Sequence, residues 1–128
     1  MLVIGERINS TREKIQEAIG KRDAAFIVNE ASRQLAAGAT FIDINCAVTS
    51  GDEIEDIGWT LGVMQSALPR INICIDSPNY LAIDRAINVY KANGSLMINS
   101  ITAEGSRIDN ILPLAVKANA ISIYFSNF

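Results

Sequence analysis

The chain contains no histidine. That absence excludes Ser-His-Asp and Cys-His nucleophile systems, histidine-ligated zinc and an imidazole general base. Chemistry here has to run on Asp, Glu, Asn, Arg, Ser, Thr or a bound cofactor. Cysteine is scarce: Cys46 and Cys74 are the two in 128 residues. They read as reduced thiols of a cytoplasmic protein, Cys74 inside an apolar run as a small core residue and Cys46 as packing at a strand end. No apolar run approaches the length that crosses a bilayer, so no membrane association is expected. The stretch Met1-Leu2-Val3-Ile4-Gly5-Glu6-Arg7 has no basic region ahead of a long apolar core, and it does not read as a signal peptide. The net charge is -3 with no block of Lys or Arg, which speaks against nucleic acid as a partner. No glycine-rich phosphate loop follows the first apolar run, as a dinucleotide-binding unit would require.

What is present is a repeated ending. Hydrophobic residues make up 49% of the chain, enough for a real core. Four short apolar runs each stop on a carboxylate or carboxamide. They are Ile4-Gly5-Glu6 with Asn9 just beyond, Phe41-Ile42-Asp43-Ile44-Asn45, Ile73-Cys74-Ile75-Asp76 and Leu96-Met97-Ile98-Asn99. A helical pattern follows each one. Polar groups converging at the carboxyl ends of parallel strands are how α/β barrels build an active site.

The apolar runs predict strands at Leu2–Ile4, Thr40–Asn45, Ile71–Ile75, Ser95–Ile98 and Ala120–Phe125. Between them, apolar residues step by three and four. Ile15, Ala18 and Ile19 form one stripe, ended by Gly20. Ala24, Ile27, Val28, Ala31 and Leu35 form a second, with Asp23 as its cap and Gly38 as its stop. Ile54, Ile57, Leu61, Met64 and Leu68 form the third, closed by Pro69. Ile83, Ala86, Ile87 and Tyr90 form the fourth, with Gly94 as its stop. Ile108, Ile111, Leu112 and Ala115 suggest a fifth, begun near Ser106 or Asp109 and kinked or delayed by Pro113. Ser10 with Glu13, and Ser50 with Glu53, have capping-box spacing, and Ser77-Pro78 reads as a cap with proline in the first turn. The fold class is therefore α/β, with about five parallel strands and outer helices in one domain over residues 1–128. An open doubly wound sheet shares this pattern. The polar ending on every one of the first four strands favours the N-terminal half of a TIM (βα)8 barrel.

Several of these residues have bland readings as well. Asp43 and Asn45 alternate with isoleucines and so share one face. Asp76 sits where a helix-capping carboxylate would, and Asn99 where a loop amide needs a partner. Glu6 and Arg7 read as a rim ion pair. The recurrence of one structural position four times is what a site explains and scatter does not. Such a rim offers acceptors and amide donors to a flat, donor-rich heterocycle, and a buried Asp accepting two parallel N–H bonds suits a 2-amino-4-oxo pyrimidine edge. Basic groups are too few for a phosphate-rich ligand, and no carboxylate set has metal-site spacing.

These residues also carry a family resemblance. Gly5-Glu6-Arg7-Ile8-Asn9, Ile42-Asp43-Ile44-Asn45, Cys74-Ile75-Asp76-Ser77 and Met97-Ile98-Asn99-Ser100 resemble the first four strand-end motifs of the methyltetrahydrofolate-binding methyltransferases. This is the pterin-binding barrel family. The motifs look most like those of its methyltetrahydrofolate:corrinoid/iron–sulfur protein methyltransferases, and next like the folate domain of cobalamin-dependent methionine synthases. Dihydropteroate synthases share the fold but differ in the first motif. The resemblance implies that Asp76 and Asn99 bond the pterin ring, that Glu6 and Asn9 approach it, and that Asp43 and Asn45 line the floor. It implies one-carbon chemistry: the N5 methyl of methyltetrahydrofolate passes to the cobalt of a corrinoid (cobalamin) carried by a partner protein.

The resemblance covers about half of the family domain. Residues 121–128 fit the family poorly, as a truncated or frameshifted reading would produce. The expectation is a fragment that lacks the strands bearing a further pterin-binding Asp and an Asn near N5. Such a piece would have no catalytic residue of its own, would be inactive alone, and would self-associate through open edges and bare inward side chains. A non-catalytic pterin-binding half-barrel is the other reading.

Overall fold

The computed structural model describes residues 2–48, 51–99 and, as backbone, 122–126. Four parallel strands carry the fold: β1 (Ile4–Asn9), β2 (Phe41–Asn45), β3 (Ile73–Asp76) and β4 (Ser95–Asn99). Beyond β4 the backbone of β5 (Ser122–Ser126) runs parallel to it, so spatial order follows chain order from β1 to β5. The connections are α1 (Glu13–Gly20) and α2 (Ala24–Ala36) after β1, α3 (Glu53–Ala67) after β2, and α4 (Tyr80–Val89) after β3. The helix expected near residues 106–115 lies outside the described residues.

Two faces of the sheet do different work. Ile8, Ile42, Ile44, Ile73, Ile75, Leu96 and Ile98 pack on the helices in one large core. Ile15, Ala18 and Ile19 of α1, Ile27 and Ala31 of α2, Ile57, Leu61 and Met64 of α3, and Ile83, Ala86 and Ile87 of α4 meet them. Most of the first four predicted stripes face this core, but Ala24 is exposed, and Leu68 and Tyr90 stand just past the ends of α3 and α4. On the opposite face Phe41, Cys74 and Met97 form a second small cluster, with Ile4 packed against it. These inward side chains are not bare, as had been expected. Phe41 and Met97 are each only 8% exposed, because neighbouring strands bring them against one another.

Helix boundaries correct several caps. Asp23 caps α2 as expected, accepting from the Phe26 N–H at 3.2 Å, and Gly38 follows α2 with φ +106°, where a side chain would be strained. α1 instead starts after Arg12, with no side-chain cap. Ser10 is buried and accepts from the Val48 N–H at 2.9 Å. α3 is capped by Asp52, whose Oδ1 accepts from the Ile54 N–H, and Ser50 lies outside the described residues. α4 is capped by Asn79 rather than Ser77, and it ends at Val89, well before Gly94. In α2, α3 and α4 the cap stands directly before the first turn, where its short polar side chain reaches an unpaired N–H.

Gly94 serves another purpose. A Cβ there would lie 2.6 Å from the Ile71 carbonyl oxygen and 2.9 Å from that of Arg70. The loop into β4 passes the loop into β3 at backbone contact, and Asn72 ties both down: its Oδ1 accepts from the Ser95 N–H and its Nδ2 donates to the Thr40 carbonyl.

Candidate functional site at the strand ends

Register brings the strand endings together. Asn9 pairs with Asn45, and Asp76 pairs with Asn99, all at the carboxyl edge of the sheet. One step below, Asp43 pairs with Cys74. Residues paired in parallel strands share a face, so Asp43 and Asn45 stand with Asp76 and Asn99 on the side away from the helices.

β1 joins them through a bulge. The pairing jumps from Gly5–Ile42 to Ile8–Ile44, so Glu6 and Arg7 together oppose one residue of β2. The two side chains then part. Arg7 turns to α2, where its Nε lies 2.6 Å from Glu30 Oε1, so the expected Glu6–Arg7 pair is replaced by Arg7–Glu30. Glu6 is exposed, and its charge acts on both Asp43 and Asp76. Gly5 allows this turn: a Cβ there would collide with the Gln34 side chain, whose Oε1 accepts from the Arg7 N–H.

The chemistry of the cluster lies in what its atoms lack. Asp43 is 4% exposed. Asp43 Oδ1, Asp76 Oδ1 and Asn99 Oδ1 are buried, and none has a hydrogen-bond partner among the described residues. Three buried orphan acceptors side by side are costly, on the order of 1–3 kcal/mol each, unless something fills them. The Asn45 amide is already committed: its Nδ2 donates to Asp76 Oδ2 at 3.3 Å and its Oδ1 accepts from the Ala47 N–H at 2.9 Å. Asn9 is spent locally, its Oδ1 accepting from the Thr11 N–H and hydroxyl.

Burial sets the charge state. It raises the Asp43 carboxyl from 3.8 to about 7, opposed by a hydrogen bond with the Cys74 thiol and assisted by the charges of Asp76 and Glu6. Burial raises Asp76 as well, against the Asn45 amide. Cys46 sits in the main core, 3.9 Å from Thr60 Oγ1, where burial pushes its thiol up to about 12, so it packs and does not react. Cys74 is a buried core residue as expected, in the small cluster on the inward face and paired with Asp43, its thiol also raised by burial.

The expected residues thus converge, with Asp43, Asp76 and Asn99 at the centre, Asn45 bracing Asp76, and Glu6 and Asn9 at the rim. Sequence reasoning missed Glu53, whose carboxylate accepts from Ser77 and Asn79 just behind Asp76. It had been read as half of a capping box, and no signal in the sequence distinguishes the two roles. A groove of about 820 Å³ between α2 and α3, lined by residues such as Ala24, Val28, Gly58 and Trp59, lies on the helical side and shares none of these groups. Among the described residues no helix is long and apolar enough to cross a membrane.

Parallel strands in chain order, with helices behind and acceptors at their carboxyl ends, make a TIM-barrel-like α/β domain. The chain belongs to the pterin-binding enzyme family, whose model matches residues 5–125. It is 36% identical over 115 residues to a methylcorrinoid:tetrahydrofolate methyltransferase from Eubacterium limosum. That alignment covers 89% of this chain and 41% of the relative, so the chain spans less than half of the relative's length.

Proposed function

We propose that this chain supplies the pterin-binding strand ends of an enzyme that moves a methyl group between N5 of tetrahydrofolate and the cobalt of a corrinoid held by a partner protein. The observation that carries this reading is the set of orphan acceptors, Asp43 Oδ1, Asp76 Oδ1 and Asn99 Oδ1, on one face at adjacent strand ends. Their ligand must present donors. The pterin edge does so, with a ring N–H beside an amino group, and a carboxylate takes such a pair in parallel. Asp76 is assigned that edge, Asn99 a neighbouring N–H, and Asp43 with Asn45 the floor. Glu6 and Asn9 approach from the first strand. The described sheet is read as the N-terminal part of a closed (βα)8 barrel whose further strands complete the pocket.

The corrinoid supplies the metal that takes or gives the methyl group. The relative's name runs from methylcorrinoid to tetrahydrofolate, opposite to the direction that the motif resemblance implies. One geometry serves both directions, because a catalyst lowers the same barrier from either side. Methylated N5 is a poor leaving group unless it gains a proton or a strong hydrogen bond as the methyl departs, and the reverse reaction sheds that proton. A floor carboxyl that keeps its proton to about pH 7 suits this traffic.

The test is calorimetric titration of tetrahydrofolate and methyltetrahydrofolate into the full-length protein. Asp76→Asn turns an acceptor into a donor facing N–H groups, and affinity is expected to fall by roughly 2–3 kcal/mol. Equal binding by the variant would reduce Asp76 to a structural carboxylate. Methyl transfer is read from the cobalt spectrum of an added corrinoid protein. Tight pterin binding without that change would identify a non-catalytic binding module.

A further inference from the structure

Behind Asp76 the chain is held by a device outside the orphan cluster. Ser77, 1% exposed, donates its hydroxyl to Glu53 Oε2 at 2.7 Å. Asn79 Nδ2 donates to Glu53 Oε1 at 3.3 Å, so one carboxylate grips two residues of the same turn. The Ser77 hydroxyl in turn accepts from the Asn79 N–H at 3.0 Å. Asn79 Oδ1 caps α4 through the Leu81 N–H. Glu53 opens α3, where a negative charge is favoured by the helix dipole, and α3 belongs to the preceding unit of the fold. The carboxyl of Asp76 is held from the other side by Asn45, also of the preceding unit.

Resting on the pterin reading above, we infer that Glu53 is a positioning residue for Asp76: by gripping Ser77 and Asn79 it fixes the strand end from which Asp76 reads the ligand. Hydrogen bonds to a charged carboxylate hold a turn more tightly than neutral ones, and these two are half-buried. A loosened turn moves the Asp76 oxygen away from its productive position, and small displacements of a binding group are expensive.

The experiment uses the full-length protein with Glu53→Ala and Glu53→Gln, each alone and combined with Asp76→Ala. Tetrahydrofolate affinity is measured by calorimetry, and the Asp76 carboxyl is titrated by 13C NMR without ligand. Glu53→Ala is expected to weaken binding about tenfold, the magnitude of one such hydrogen bond. Glu53→Gln keeps an acceptor for Ser77 and is expected to restore most of that loss. In the Asp76→Ala background Glu53→Ala is expected to change nothing further. In the NMR titration Glu53→Ala admits water and lowers the Asp76 midpoint, while Glu53→Gln leaves it in place. Equal tenfold losses with and without Asp76 would overturn the inference, as would an Asp76 midpoint that ignores Glu53→Ala or moves equally in both variants. Absence of tetrahydrofolate binding by the unmodified protein would sink the pterin reading alone, since the titration still decides the role of Glu53.

Discussion

At the scale of single residues, Asp43 gives the sharpest consequence of burial. Its carboxyl is raised from 3.8 to about 7, so the folded protein holds a proton there that the unfolded chain has released. The stability this contributes is full below pH 3.8 and is lost as pH rises through about 7. Asp43→Asn removes that dependence. The stability of the natural protein relative to this variant is therefore expected to be greater at pH 5 than at pH 8, by a few kcal/mol at most. Urea unfolding at the two pH values checks it, and a difference that does not vary with pH would mean that Asp43 ionises like a surface carboxylate.

At the scale of elements, the strand-to-strand passage at Gly94 makes a second expectation. Its Cβ position is closed by backbone carbonyls of Ile71 and Arg70, which cannot swing aside as a flexible side chain would. Gly94→Ala should cost roughly 1–3 kcal/mol and lower the melting temperature by several degrees. An unchanged melting curve would show that the loop adapts freely. The helical stripes and the polar strand endings were legible in the sequence, because both follow from fixed periods of 3.6 and 2. Arg7 and Glu53 were not. Glu6 and Arg7 look like partners by adjacency, yet the bulge in β1 sends Arg7 to Glu30, 23 residues away. Glu53 has capping spacing from Ser50, yet its carboxylate reaches across to the next βα unit. The turn between α1 and α2 was equally hidden. Arg22 takes φ 57°, a strained value for a residue with a side chain, while its guanidinium reaches Asp56 at 2.9 Å and lies 5.0 Å from the Trp59 ring centre. Long-range partners of this kind leave no local period to read.

At the scale of the whole molecule, β1 has a strand neighbour on one side only among the described residues. A polypeptide of residues 1–128 expressed by itself is therefore expected to associate through unpaired edges, and to show no methyl transfer in the corrinoid assay. A monomer in sedimentation with measurable turnover would show instead that four strand ends suffice. The order of the strands in space repeats their order in the chain, which has a consequence for synthesis. Each new strand needs only its predecessor as a template, so the sheet can lengthen from the amino terminus as the ribosome delivers it, with modest loop-closure cost at each step. The binding groups arrive on the same schedule. On the proposed reading Glu6 and Asn9 come first, Asp43 and Asn45 follow, and Asp76 and Asn99 come after them, so a pterin is expected to stabilise the fold only once β4 has docked.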